Sequence, residues 1–125
     1  MTDNDSTVVL DSFLASHLKE IRNVKVIADK DLSELFETDI KTIHQLVESN
    51  PQQFPNEAML KLSKDEQTVY SDVLYCFSNA GIFALAGLLK TKRAIRIYVK
   101  LIELLVSRLQ GKTYEIAATY QAGKS

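Results

Sequence analysis

Between Asp29 and Pro55 the chain reads DKDLSELFETDIKTIHQLVESNPQQFP, two short helical patterns separated by a tight break and closed by a proline-punctuated turn. The first pattern places Leu32, Leu35 and Phe36 on one face behind the acidic cap candidates Asp29 and Asp31, and the second places Ile40, Ile43, Leu46 and Val47 at 3,3,1 spacing. Only Glu37 and Thr38 lie between them, and Thr38 or Asp39 can cap the second helix. Apolar faces this close together must pack on one another, which predicts a helix-turn-helix. The outer face of the second helix then carries Lys41, Thr42, His44, Gln45 and Glu48, free to meet a partner; on duplex DNA it is the face that enters the major groove.

The flanking segments predict a mixed fold. Leu10, Phe13, Leu14, His17, Leu18 and Ile21 repeat at 3,1,3,1,3, the period of an amphipathic helix capped by Asp5 or Ser6, with residues 1–6 a frayed tail. Val24 to Ile27 is a β-branched run that suits a strand. Around Met59 the sequence alternates weakly as a strand, and Val73 to Phe77 can pair with it. Ser63 and Glu66 form a capping box, so a helix starts at Lys64 and runs to about Val69.

Ser78 or Asn79 caps a helix from Ala80 to Leu89, within which Gly81 and Gly87 each cost about 1 kcal/mol relative to alanine, a sign of close packing in a buried element. Thr91 caps a last helix, Lys92 to Gln110, ended by Gly111. Its polar residues Lys92, Arg96, Lys100, Glu103, Ser107 and Gln110 occupy one stripe, and so much apolar girth elsewhere calls for more than one neighbour. The helix is either a central core element or a homodimer interface, with Ile97, Tyr98, Leu101, Leu104 and Leu105 as the interface candidates. The fold class is α+β and mostly helical, a helix-turn-helix with a small β-sheet or hairpin (winged-helix-like) and a long C-terminal helix. An N-terminal helix with its tail occupies 1–20, the main domain 21–110 and a C-terminal tail 111–125.

Charge is distributed unevenly. Residues 1–72 hold seven Lys/Arg against fourteen Asp/Glu, a net of −7, whereas residues 73–125 hold eight against two, a net of +6. The halves can neutralise each other within the fold, pair between subunits, or present the basic half to a polyanion. Cys76, between Tyr75 and Phe77, reads as a buried structural thiol. Being the single cysteine, it supports neither an intramolecular disulfide nor a thiolate cluster, which fits a reducing compartment. His17 falls on an apolar stripe with no partner at metal spacing, a core histidine with one satisfied nitrogen. The acidic N-terminus is unlike a signal peptide and the longest apolar run, Gly81 to Leu89, is too short for a membrane span, so a cytoplasmic location without membrane contact is expected. There is no phosphate-binding glycine loop and no recognisable triad or metal motif, so the expectation is a non-enzyme with no cofactor and no small-molecule substrate.

From Ile21 to Arg108 the chain resembles the phage and bacterial ORF-six-N domain, a relative of the KilA-N domain of prophage antirepressor-like proteins. The segment IRNVKVIADKDLSELF is similar to the family's strand and its Asp-x-Asp-Leu-Ala-x-Leu-Tyr helix. Asn50, Phe54 and Pro55 followed by MLKLSKDE are similar to its Asn…Arg-Phe-Pro and Phe-x-Leu-Thr-x-Glu-Glu, and FSNAGIFALAGLLKTKRAIRI to its next helix and the start of the last. The resemblance implies DNA binding in transcription regulation of phage or prophage type. Under it Lys41, Thr42, His44 and Gln45 approach base edges, while Lys25, Lys61 and Lys64 hold phosphates. The cluster at Lys90, Lys92, Arg93, Arg96 and Lys100 is a second phosphate surface or neutralises the acidic half. Departures fall on the second helix: Thr42 stands where Arg is common, His44 where Asn is common, and Glu48 and Ser49 where a basic pair is common. Each basic residue lost removes about one counterion-release contact. That loss, with the −7 of residues 1–72, motivates an alternative: a protein-interaction or homodimerisation module with weakened DNA binding.

Overall fold

Two consecutive residues of positive φ, Arg22 at 53° and Asn23 at 64°, reverse the chain between β1 (Lys19–Ile21) and β2 (Val24–Ala28). A two-residue turn with both φ values positive matches the right-handed twist of a hairpin, and Ile21 pairs with Val24, Glu20 with Lys25 and Lys19 with Val26. The computed structural model describes residues 7–107. The frayed tail expected at 1–6, the Gly111 stop and the 111–125 tail lie outside the described residues. The hairpin corrects the helix expected through Ile21: α1 (Thr7–His17) stops short, because the Arg-Asn turn commits Lys19–Ile21 to pairing with β2.

The sheet has the order β1-β2-β4-β3, with every neighbouring pair antiparallel. Between β2 and β3 (Met59–Lys61) lie α2 (Asp29–Phe36), α3 (Ile40–Ser49) and a short 3-10 turn at Pro51–Gln53. Between β3 and β4 (Tyr75–Phe77) lies α4 (Lys64–Val69), and after β4 come α5 (Asn79–Leu89) and α6, which begins at 92 and is described through 107. The expected pairing of the Met59 segment with Val73–Phe77 is realised as Met59 with Phe77, Leu60 with Cys76 and Lys61 with Tyr75.

Alternation divides the sheet into two faces. Ile27, Tyr75 and Phe77 look towards a core built from Leu10 of α1, Leu32, Leu35 and Phe36 of α2, Ile43 and Val47 of α3, Ile82 and Leu85 of α5, and Ala94, Ile97 and Leu101 of α6. The other face carries Val26, Ala28, Leu60 and Cys76 into a smaller cluster closed by Ile21, Leu62 and Val73. Cys76 is fully buried and burial pushes its thiol up to about 11, so it is the structural thiol that its apolar neighbours suggest.

Helix ends follow local chemistry where the donors are near. Ser63 accepts the Glu66 amide while the Glu66 carboxylate accepts the Ser63 amide, the capping box expected for α4. Thr91 Oγ1 accepts the Ala94 amide at 3.0 Å and starts α6. Asp39 and Ser78 occupy cap positions without side-chain cap bonds; Ser78 instead donates from Oγ to the Glu57 carbonyl at 2.6 Å.

The two α5 glycines differ. A Cβ on Gly81 would stand 2.1 Å from the Ala58 carbonyl oxygen, which accepts the Ser78 amide at 3.0 Å, so only glycine lets α5 start against β3. Around Gly87 nothing lies within 4 Å, which corrects its reading as a close-packing residue. Gly81→Ala is expected to cost about 3 kcal/mol or more by overpacking, and Gly87→Ala to raise stability by about 0.5–1 kcal/mol. Urea denaturation of the two variants checks this, and equal behaviour would remove the distinction.

The hairpin turn is clasped to α4. Arg22 Nε donates to Glu66 Oε2 at 2.9 Å, and Nη2 donates to the other carboxylate oxygen and to the Lys61 carbonyl at 3.1 Å. This pairing, then the Ser63 amide, holds the Glu66 carboxyl at about 2, well below its ordinary 4.5. A depressed carboxyl pKa contributes stability that is complete above the ordinary value and is lost as pH falls through the folded one. The destabilisation of Glu66→Gln relative to the parent should therefore be greatest above about pH 4.5 and shrink towards pH 2, read from urea midpoints. A pH-independent difference would show that the charge plays no part.

Candidate nucleic-acid interface

The helical pair α2–α3 is joined by Glu37, Thr38 and Asp39. Glu37 takes the left-handed conformation at φ 53°, its amide donates to the Glu34 carbonyl, and the Thr38 amide donates to the Ser33 carbonyl, which ends α2. Ile43 and Val47 of α3 are buried and Leu46 packs beside them, whereas Ile40 is at the surface. The outer side of α3 presents Lys41, Gln45 and Glu48 exposed, with Thr42 half-buried.

His44 has another role. Its Nε2 lies 2.7 Å from Asp29 Oδ2, and because a carboxylate only accepts, Nε2 carries the hydrogen. Asp29 is buried at 1% exposure and also takes the Lys30 amide on Oδ1 at 2.7 Å and the Tyr75 amide on Oδ2 at 3.2 Å. The Tyr75 ring meets His44 edge-on at 5.2 Å, and its hydroxyl donates to Glu48 at 3.4 Å. Burial, then Glu48, raises the Tyr75 phenol above its ordinary range, so it stays a donor. His44 is thereby corrected from a base-edge reader to a brace, and Asp29 from a helix cap to a buried acceptor.

The basic candidates divide into two groups. Lys61 is the cross-strand partner of Tyr75, so its side chain leaves the sheet on the face that α3 covers, and Lys64 opens α4 three residues later; both are exposed. Lys25 is exposed elsewhere, in a cleft that Leu14, Leu18 and Asn79 also line. On α6, Arg93 is committed internally: Nε donates to the Leu35 carbonyl at 2.7 Å and sits 3.5 Å from Glu37, a cation at the C-terminal end of α2. Lys100 pairs with Glu103 at 3.4 Å. Arg93, Arg96 and Lys100 line a cleft of about 310 Å³ opposite Glu34 and Glu37, while Lys92 is exposed. Arg93 is thus corrected from a phosphate contact to an inter-helix tie, and Arg93, Arg96 and Lys100 share their cleft with acidic side chains of their own domain.

Of the interface candidates, Ile97 and Leu101 are buried in this chain's own core and Leu104 packs against it, a further correction, because a side chain filling its own core cannot meet a partner. Tyr98 and Leu105 stay at the surface. His17 donates from Nδ1 to the Phe13 carbonyl at 2.8 Å and stacks on Phe13, the satisfied histidine expected. The fold nevertheless brings it near Asp31 and Glu34, with ligand atoms within 4.8 Å of one another, so it does have neighbours at metal spacing. Lys19, 3.6 Å from Asp31, already places a cation beside that group.

Sequence reasoning missed Tyr75 and the depth of Asp29. The signal present was an acid placed where a β-branched strand passes directly into a helix. His44→Ala is expected to cost about 1.5–3 kcal/mol, the range for a bond to a charged group, whereas Gln45→Ala on the same helix should stay within about 0.5 kcal/mol. Equal urea midpoints for the two would eliminate the brace.

Among the described residues no helix is long and apolar enough to cross a membrane. No curated protein and no solved structure matches the chain. A family model described as ORF6N domain matches residues 16–88, from the end of α1 into α5. The matched segment contains β1 to β4, the α2–α3 pair and the Asp29–His44–Tyr75 brace. With more than half of its length matched, the chain belongs to the ORF6N domain family, a membership that points to phage-type regulation.

Proposed function

We propose that this chain is a regulatory duplex-DNA-binding module, antirepressor-like and KilA-N-related, that works as a helix-turn-helix with α3 in the major groove. The observation that carries the reading is the braced α2–α3 pair, which holds Lys41, Thr42 and Gln45 along the outer side of α3, while Lys61 leaves the sheet on the face it shares with Tyr75. Lys41 and Gln45 are one helical turn apart and Thr42 adjoins them, the spacing with which the first turns of a recognition helix address base edges. Lys61 and Lys64 are the phosphate contacts, since neither has a carboxylate partner within ion-pair distance among the described residues. Glu48 opposes binding, as a negative charge on the groove-facing side repels phosphate.

Fluorescence anisotropy with a mixed-sequence duplex at low salt tests the proposal. Binding is expected to weaken steeply with salt, and the log–log slope to fall by about one for each of Lys41→Ala, Lys61→Ala and Lys64→Ala. Glu48→Gln should strengthen binding. Absence of binding, binding indifferent to salt, or full affinity in the triple lysine variant would overturn the proposal.

A further inference from the structure

α6 turns one side to its own core and leaves the other bare. Ala94, Ile97 and Leu101 are buried, whereas Ile95, Tyr98, Val99, Ile102, Leu105 and Val106 are each 38–54% exposed and supply most of the exposed large hydrophobic residues of the described chain. These six form two copies of one pattern: Ile95, Tyr98 and Val99 recur seven residues later as Ile102, Leu105 and Val106. A seven-residue apolar repeat keeps one seam of a helix facing a partner helix along its length, and no charged residue interrupts this seam.

We propose that two copies of this chain associate through this face of α6 in a symmetric homodimer. Two observations select a second copy as the occupant. The repeat is self-complementary, because an identical helix brings the same alternation of β-branched and larger side chains that the first offers. The area also suits a dimer: half-exposure of six large side chains leaves on the order of 500 Å² in one stripe, at the top of what monomers expose, and two such stripes reach roughly the 1,000 Å² a specific interface needs. The seam is partly held in place beforehand, since the Tyr98 ring rests edge-on against Phe83 at 5.8 Å, which lowers the ordering cost of association. The dimer does not depend on the DNA reading, and its test contains no nucleic acid.

The test is the mass of the full chain by light scattering and sedimentation equilibrium from low to high micromolar concentration. The parent should form a dimer, and Ile102→Glu should weaken it by roughly a hundredfold while keeping the parent's circular dichroism spectrum. Ile95→Lys, at the most exposed position of the seam, should do the same should Ile102→Glu fail to fold. A parent that stays monomeric throughout overturns the proposal. In that case a fall in melting temperature in both variants would identify residues 108–125 of the same chain as the cover, and no fall would leave the face to a different partner. A dimer that persists in both variants also overturns it, because the contact then lies elsewhere.

Discussion

The carboxylate of Asp29 sits where the sheet ends and the helices begin, and the arrangement of both depends on it. The β2–β4 ladder pairs Ile27 with Phe77 and Ala28 with Cys76, so one step further Asp29 stands opposite Tyr75. There the backbone leaves the ladder to start α2, and the side chain takes over as acceptor for the Tyr75 amide. Burying a carboxylate costs several kcal/mol, offset only by donors and a favourable field. Asp29 has two backbone amides, the His44 ring and the first turn of α2, whose dipole favours negative charge. The outcome reaches beyond stability. With His44 held towards Asp29, the rotation of α3 about its axis is fixed: Lys41 and Gln45 point away, and Glu48, though exposed, reaches back to the Tyr75 hydroxyl at the edge of that stripe.

What the sequence made legible was what neighbouring residues decide. Ser63 and Glu66 stand three apart and place α4 correctly, and Thr91 starts α6 in the same way. The strands near Met59 and Tyr75 were visible as β-forming runs on either side of that cap. The brace was not legible, because His44 and Tyr75 lie 15 and 46 residues from Asp29 and an acid before a helix reads as a cap. The end of α1 is hidden for a related reason: Leu18 and Ile21 continue a helical period, and only the turn chemistry of Arg22 and Asn23 overrides it. Glycine is equally ambiguous, since composition cannot tell Gly81, pressed against a carbonyl, from Gly87, which faces open space.

Sequence also showed α6 to be apolar nearly all round without showing which side was core. Three-dimensional packing settles that by using Ala94, Ile97 and Leu101 internally, with Arg93 tying the start of the helix to the end of α2. The residues left over are those of the seven-residue repeat, so the two alternatives for this helix are not exclusive: one side is core and the other is a bare seam.

The division of labour between arginine and lysine connects the two surfaces. The forked guanidinium of Arg22 is spent on Glu66 and that of Arg93 on Leu35 and Glu37, where fixed geometry serves packing. The cations beside α3 are lysines, compact point charges that attract phosphate without fixing its geometry. With Glu48 beside that stripe and an acidic first half of the chain, the DNA contact proposed for a single α3 would be weak and salt-sensitive. Two α3 helices carried by one symmetric body change that arithmetic, since the second contact then forms at an effective concentration set by the assembly rather than by the solution. The sparse basic charge of α3 is therefore compatible with the proposed DNA reading when chains act in pairs, and the seam proposed on α6 is the surface that would pair them.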